Sequence, residues 1–199
     1  MANKTSFQVW SEFHHTILML IILTWYTFKM KKITICGVPA SGKSTLANKI
    51  GSGLGIPVYH LDKISWKDDG IFASQEEITG KVSEILEKSE WIIEGSLPRS
   101  KTFDMRIREA DVIILIDVPI WLILWRQTKR FFMHYGTTRP DMGGNNKQKY
   151  PFTFKEIKYA LNYPSEELYQ KILPLRRTKK VFIIKNKKSE EATLKELLA

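Results

Sequence analysis

Short apolar runs alternate along the chain with longer stretches whose apolar residues recur every three or four positions, which predicts strand and helix in turn. Lys32–Cys36 is compact and β-branched, as a strand covered on both faces should be. Thr45–Ile50 suits a helix, with Gly51 and Gly53 placed to end it. Ile56–Leu61 predicts a second short strand ending at Asp62, and the polar residues after it, with Trp66 and Phe72 among them, are too irregular for core. From Gln75 to Lys88, Ile78, Val82, Ile85 and Leu86 mark one helical face, with Ser74 as its cap. Trp91–Glu94 and Val112–Asp117 predict the third and fourth strands. Pro119 opens a helix at its first position that runs to about His134 and carries Arg126 and Arg130 on one face. Residues 135–151 read as loop, broken by Gly136, Pro140, Gly143, Gly144 and Pro151. Two helical stretches, Phe154–Leu161 and Ser165–Leu173, precede a fifth strand at Val181–Ile184 and a last helix, Ser189–Leu198, capped by Ser189. Strands alternating with helices give an α/β fold with a parallel sheet covered on both faces. Ligands of such sheets bind beyond the carboxyl ends of the strands. Those ends here are the loop after Cys36, Asp62, Glu94–Arg99 and Asp117.

Residues 1–29 stand apart from this alternation. Ile17–Phe28 is uncharged and strongly apolar, but it falls short of the ~20 residues that span a bilayer as a helix. Lys29, Lys31 and Lys32 follow it, which would keep the next domain cytoplasmic if the segment anchored. No secretory signal is legible, because the charge and the cleavage site are not where one needs them. A start assigned too early, with Met30 as the native beginning, is the first expectation; a segment in peripheral contact with a membrane is the second. The domain proper is expected over residues 30–199.

Composition narrows little further. The chain has 199 residues, 43% hydrophobic and 12% aromatic, enough for one packed domain with a small insertion. A net charge of +10 suits polyphosphates, nucleic acid or an anionic surface without choosing among them. Cys36 is the only cysteine, so no intrachain disulfide forms, and a buried inert thiol is expected.

Chemistry enters with Gly37-Val38-Pro39-Ala40-Ser41-Gly42-Lys43-Ser44, which fits G-x-x-x-x-G-K-[ST] between a predicted strand and a predicted helix. Gly37 and Gly42 let the backbone turn and aim its N–H groups inward, and the following helix start at Thr45 adds partial positive charge. In such a loop Lys43 reaches the outer phosphates of a nucleotide and Ser44 ligates Mg²⁺. The run Gly51–Gly55 does not make a dinucleotide site, since Ile56 stands where the pattern requires glycine.

From Met30 onward the chain resembles the adenylate-kinase-like P-loop kinases, most closely the proteins labelled DNA topology modulation protein (FlaR-like). The resemblance rests on the phosphate loop, Tyr59-His60-Leu61-Asp62, Trp91-Ile92-Ile93-Glu94-Gly95, Thr138-Arg139-Pro140-Asp141-Met142, and Asp117-Val118-Pro119 with Arg126 and Arg130 behind it. It implies a P-loop NTPase three-layer sandwich, a five-stranded parallel sheet of order 2-3-1-4-5 and a small lid at about 131–150. Arg126 would lie beside the adenine or the phosphates of ATP, and Arg130 would neutralise phosphates during transfer. Glu94–Arg99 is similar to the Asp-Gly-Phe-Pro-Arg element of nucleotide kinases, with one extra residue and Glu for Asp, and Arg99 would then grip a monophosphate.

The expected activity is transfer of the γ-phosphoryl of ATP, with Mg²⁺, to an unidentified small acceptor held between about residues 62 and 80. An unphosphorylated acceptor is preferred to a nucleoside monophosphate. Glu94 would order the metal's waters, Arg126, Arg130 and Arg139 would offset charge as the lid closes, Asp62 would orient or deprotonate the acceptor hydroxyl, and Trp66 would stack on a ring or pack under the loop. The alternative is a regulatory NTPase that acts on DNA topology through non-specific binding; the Lys and Arg residues are scattered, apart from 176–180 and 185–188. A cytoplasmic monomer or dimer is expected. If the domain begins after residue 29, a chain lacking 1–29 will bind ATP with unchanged affinity in a fluorescence titration; failure of that truncated chain to fold would make the extension structural.

Overall fold

The computed structural model describes residues 30–67, 71–134 and 154–199. The expectations for 1–29, for most of the lid at 131–150 and for Arg139 lie outside the described residues. Lys31–Ala199 forms one compact unit. Its strands are β1 (Lys32–Gly37), β2 (Val58–His60), β3 (Trp91–Glu94), β4 (Val112–Ile116) and β5 (Lys180–Ile184). Its helices are α1 (Lys43–Leu54), α2 (Leu61–Ser65), α3 (Gln75–Leu86), α4 (Lys101–Glu109), α5 (Ile120–His134), α6 (Phe154–Leu161), α7 (Ser165–Ile172) and α8 (Lys187–Leu198), with a 3₁₀ turn at Leu173–Arg177.

The strands form one parallel sheet in the order β2-β3-β1-β4-β5. This is the P-loop three-layer sandwich that the resemblance implied. Ile33, Ile35, Ile92, Ile93, Ile113 and Ile114 are fully buried. A strand covered on both faces has no polar side to alternate with, which is why these runs are continuously apolar. Asp111 ties down the entry to β1: its Oδ2 accepts from the backbone N–H groups of Lys31 and Lys32 at 3.1 and 3.0 Å.

Five expectations are corrected. The helix after the phosphate loop does not stop at Gly51 but runs to Leu54, and Gly55, at φ 71°, ends it. Gly51 is helical because β2 passes so close that a Cβ there would lie 2.4 Å from Val58 Cγ2. The second strand stops at His60, and Leu61–Ser65 turns into α2, which lifts Asp62 into a first helical turn. No helix was expected over 101–109; α4 buries Thr102, Phe103, Arg106 and Ile107, and the arginine and threonine in that face hide its apolar period. At the C-terminal helix the cap is Asn186 and not Ser189: the Asn186 side chain accepts from Ser189 N–H at 2.9 Å, and Ser189 Oγ accepts from Asn186 N–H at 3.1 Å. Pro119 likewise lies one residue before α5, its carbonyl accepting from Leu122 N–H at 3.0 Å.

Ser74 caps α3 as expected, in a reciprocal box with Glu77. Among the described residues no helix is long and apolar enough to cross a membrane.

The glycines of α1 and α3 give a paired test. Gly80 is exposed in α3 and a Cβ there meets nothing within 4 Å, so Gly80→Ala should raise unfolding free energy by about 0.5–1 kcal/mol. Gly51→Ala should lower it by about 1–3 kcal/mol through the clash with β2. Urea denaturation of the two variants checks both signs.

Candidate phosphate-binding site and acceptor chamber

At the carboxyl end of β1 the chain must leave the sheet without striking β4. Gly37 does so at φ 145°, where an added Cβ would lie 2.3 Å from the Ile116 carbonyl oxygen. The loop then passes through Ala40, at φ 62°, and Gly42, at φ 104°, into α1. Val38 and Ala40 are buried while Pro39 stands partly open.

Two cavities meet on this loop. One, of about 390 Å³, is lined by Pro39, Lys43, Ser44, Asp62, Trp66 and Glu94, with Phe72, Ser96, Leu97 and Tyr159 also around it. The other, of about 700 Å³, lies between the loop, α5 and the start of α8, and includes Ser41, Trp125, Arg126 and Asn186. Ala40, Gly42, Thr45 and Arg130 border both. The loop therefore forms a shared wall between a wide cleft and a smaller chamber that holds the carboxylates.

Lys43 is half-buried, and its Nζ donates to the Val38 carbonyl at 3.0 Å. Burial lowers its pKa, Glu94 and Asp62 pull it back up, and the positive charge of Arg130 adds to the lowering. Arg126 reaches from α5 to the Ser41 carbonyl. Glu94 is 3% exposed, and its Oε1 accepts from Ser44 Oγ at 3.1 Å and meets His60 Nδ1 at 2.7 Å. Trp66 stands edge-on to Phe72, ring centroids 5.1 Å apart, so it both lines the chamber and packs within its own loop.

The structure thus brings together Gly37, Pro39, Ala40, Ser41, Gly42, Lys43, Ser44, Thr45, Asp62, Trp66, Glu94, Arg126 and Arg130 around the loop. Arg99 is placed elsewhere. It borders a separate cavity of about 930 Å³ beside Lys101 and Tyr159, with its Nε donating to Glu167 Oε2 at 3.0 Å and its Nη2 to Oε1. Its guanidinium is occupied by α7, and the residue inserted before it in the Asp-Gly-Phe-Pro-Arg comparison carries it past the chamber.

Three contributors were not read from the sequence. Arg106 is fully buried, yet among the described residues no carboxylate pairs with it. Its Nε donates to the Thr102 carbonyl at 3.2 Å, Nη1 to Gly95 at 3.0 Å and Nη2 to Ser96 at 2.8 Å. Burial depresses its pKa to about 10, against the opposing influence of Cys36, Tyr163 and Glu94. Ser96, held this way, donates its hydroxyl to the Gly37 carbonyl and joins the β3 exit to the phosphate loop. His60 was read only as part of a strand. The one available signal for Arg106 was its four-residue spacing from Thr102 in an otherwise polar stretch. Cys36 is fully buried and its thiol is pushed up to about 12 by that burial, the inert state expected of it.

No family model matches the chain, and no curated protein does. Among solved structures it is similar to shikimate kinase from Acinetobacter baumannii in complex with shikimate, at 12% identity over 86% of this chain and 93% of that one, TM-score 0.52. It is also similar to shikimate kinase from Aquifex aeolicus vf5, at 20% identity over 83% and 92%, TM-score 0.46. A gluconokinase from Sinorhizobium meliloti 1021 matches at 14% identity over 85% and 94%, TM-score 0.47. The likeness to the Acinetobacter enzyme establishes the fold, that of the P-loop kinases. None of these structures supports the DNA-topology label.

Arg106 gives a test of how the β3 exit is held. Arg106→Met removes the side-chain donor from three carbonyls; Thr102 keeps its helical N–H partner, so Gly95 and Ser96 are left unanswered at about 1–3 kcal/mol each, and unfolding free energy should fall by about 2 kcal/mol or more. Denaturant titration that finds less than 1 kcal/mol (roughly the value of one ordinary hydrogen bond) would show that the loop holds itself.

Proposed function

We propose that this chain is a P-loop phosphotransferase that moves the γ-phosphoryl of ATP, with Mg²⁺, onto a hydroxyl of a small acceptor. The observation that carries the reading is the placing of Asp62 and Lys43 in one chamber of about 390 Å³, on the far side of the loop from the wide cleft. A chamber of that size has room for a hydroxylated acceptor, and Asp62 in its wall can orient the hydroxyl.

The residues fit ATP and Mg²⁺ by their chemistry. The cleft between α5 and α8 offers room for the nucleoside, with Arg126 and Trp125 at its side. Lys43 gives up its contact with the Val38 carbonyl to reach phosphate oxygens, and the backbone N–H groups of 40–44 provide the rest of the cradle. Among the described residues no group of three or more His, Cys, Asp or Glu side chains could hold a metal alone, so Ser44 would ligate it with the phosphates while Glu94 orders its waters. Bound Mg²⁺ supplies charge neutralisation for the migrating phosphoryl. Arg130, on the wall common to both cavities, adds positive charge where the phosphoryl crosses. Asp62 accepts the hydrogen bond of the acceptor hydroxyl and orients it for attack. Trp66 and Phe72 exclude water from the same chamber.

The Acinetobacter shikimate kinase, in complex with shikimate, holds a small molecule, in keeping with an acceptor of that size. Since Arg99 is engaged by Glu167, an acceptor without its own phosphate is preferred to a nucleoside monophosphate. The nucleic-acid reading loses its footing at the basic C-terminal runs. Lys180 pairs with Glu196 at 2.8 Å, Lys187 lies 3.7 Å from Glu191, and Lys179 donates to the Ala110 carbonyl.

An acceptor screen with ADP release as the readout tests the proposal. Lys43→Ala should abolish turnover. Asp62→Asn should lower kcat with the best acceptor by about 10²–10⁴-fold, the range for a lost acid–base group, with ATP affinity unchanged. If no acceptor raises turnover above slow hydrolysis of ATP, the protein is a regulatory NTPase instead.

A further inference from the structure

Glu94 cannot order a metal's waters unless something fixes which of its two oxygens faces them. His60 ends β2 and pairs in register with Glu94 at the end of β3, so the two side chains leave neighbouring parallel strands side by side. Both are nearly sealed from water, with side-chain exposures of 11% and 4%. An ionised carboxylate only accepts, so the ring hydrogen sits on Nδ1 and donates to Oε1 across 2.7 Å. Ser44 Oγ donates to the same oxygen. Among the described residues the hydrogen bonds to Glu94 thus fall on Oε1, and Glu94 lines the chamber.

We propose that His60 is a positioning residue for the metal half of this site, locking the rotation of the Glu94 carboxylate so that Oε2 is presented to metal-bound water. The inference rests on the phosphotransferase reading above. Histidine suits the task because it offers a ring N–H donor on a short, rigid side chain that strand register sets beside Glu94. A lysine or arginine in its place would form an ion pair with Glu94 and compete with the divalent cation for it. Ser44 cannot do this alone, since its hydroxyl must also offer a lone pair to the metal. A hydrogen bond from a second residue keeps the carboxylate fixed while Ser44 reorients.

The test compares the full chain with His60→Phe, which fills the space without donating, and His60→Asn, whose amide nitrogen can stand in for Nδ1. Mn²⁺ serves as the probe, its binding to the protein–ATP complex followed by electron paramagnetic resonance. Residues that orient a metal's ligands affect affinity by about 10–100-fold, so His60→Phe should weaken Mn²⁺ by ~10-fold or more. ATP affinity without metal should not change, and His60→Asn should recover most of the loss. The Mg²⁺ concentration needed for half-maximal turnover should move in step with Mn²⁺ affinity. Wild-type Mn²⁺ binding by His60→Phe, with only a lower melting temperature, would make the histidine a packing residue and overturn the inference while the phosphotransferase reading stands. Equal weakening in His60→Phe and His60→Asn would also overturn it, because a restored donor must restore the metal. If His60→Phe does not fold, His60→Asn decides alone: loss of Mn²⁺ affinity in that folded variant defeats the proposal. Absence of ATP binding by the wild-type protein would remove both readings together.

Discussion

A carboxylate withdrawn from water is costly unless its charge is answered by hydrogen bonds or nearby cations. Glu94 imposes that condition at the centre of this molecule. Its position at the end of β3 is set by the sheet: Ile35 pairs with it from β1 and His60 from β2. Its donors come from either side of the sheet edge, Ser44 from the first turn of α1 and His60 from β2. Lys43 adds long-range compensation, as the upward pull of Glu94 on the lysine shows. Moving β2 or α1 by one residue would remove one of its two hydrogen-bond donors. The geometry that suits phosphate chemistry is therefore also the geometry that makes the strand ends mutually consistent.

The same logic accounts for Arg106, a buried cation answered by carbonyl groups. Guanidinium hydrogens in a rigid fork match three carbonyls that lie in one turn of chain, at Gly95, Ser96 and Thr102. The backbone that leaves β3 is gripped from behind, and Ser96 passes that restraint to Gly37. Leu97, at φ 41°, absorbs the resulting bend at the seam between the small chamber and the cavity around Arg99. On the other flank Tyr169 donates to Asp117 at 2.6 Å, fixing the β4 exit that leads into α5 and its two arginines. The two exits flanking β1 are thus held by Arg106 and Tyr169, neither of which lines the small chamber.

What could be read from the sequence follows from which signals are local. The phosphate loop is legible because its glycines, lysine and serine are contiguous, and the strands because double burial makes them apolar throughout. The order of strands needed the resemblance, since nothing in a parallel strand names its neighbour. Helix α4 escaped notice because its inward face contains Thr102 and Arg106, polar groups whose partners lie on the β3 exit. Gly51 misled for a related reason: glycine reads as a stop, but here it makes room for Val58. Arg99 and His60 show the limit most clearly. Arg99 sat in a familiar motif and turned out to be held by Glu167, 68 residues later in the chain. His60 stood in the Tyr59–Asp62 step without an assigned role, and it meets Glu94 through strand register.

Charge placement around the loop explains why one wall can serve two cavities. The wide cleft is bordered by Arg126, Lys129 and Arg130, and the small chamber by Asp62 and Glu94, with Lys43 on the chamber side and Arg130 on both. Lys49 and Lys187 add to the cleft and Glu190 and Glu191 subtract from it, so its lining is net positive, whereas the two carboxylates of the chamber are matched by Lys43 and Arg130. A polyanion is therefore favoured in the cleft over the chamber, and that difference is fixed by which element carries which side chain. Arg126, bound to the Ser41 carbonyl, holds α5 against the loop and so keeps the cationic border in register with it.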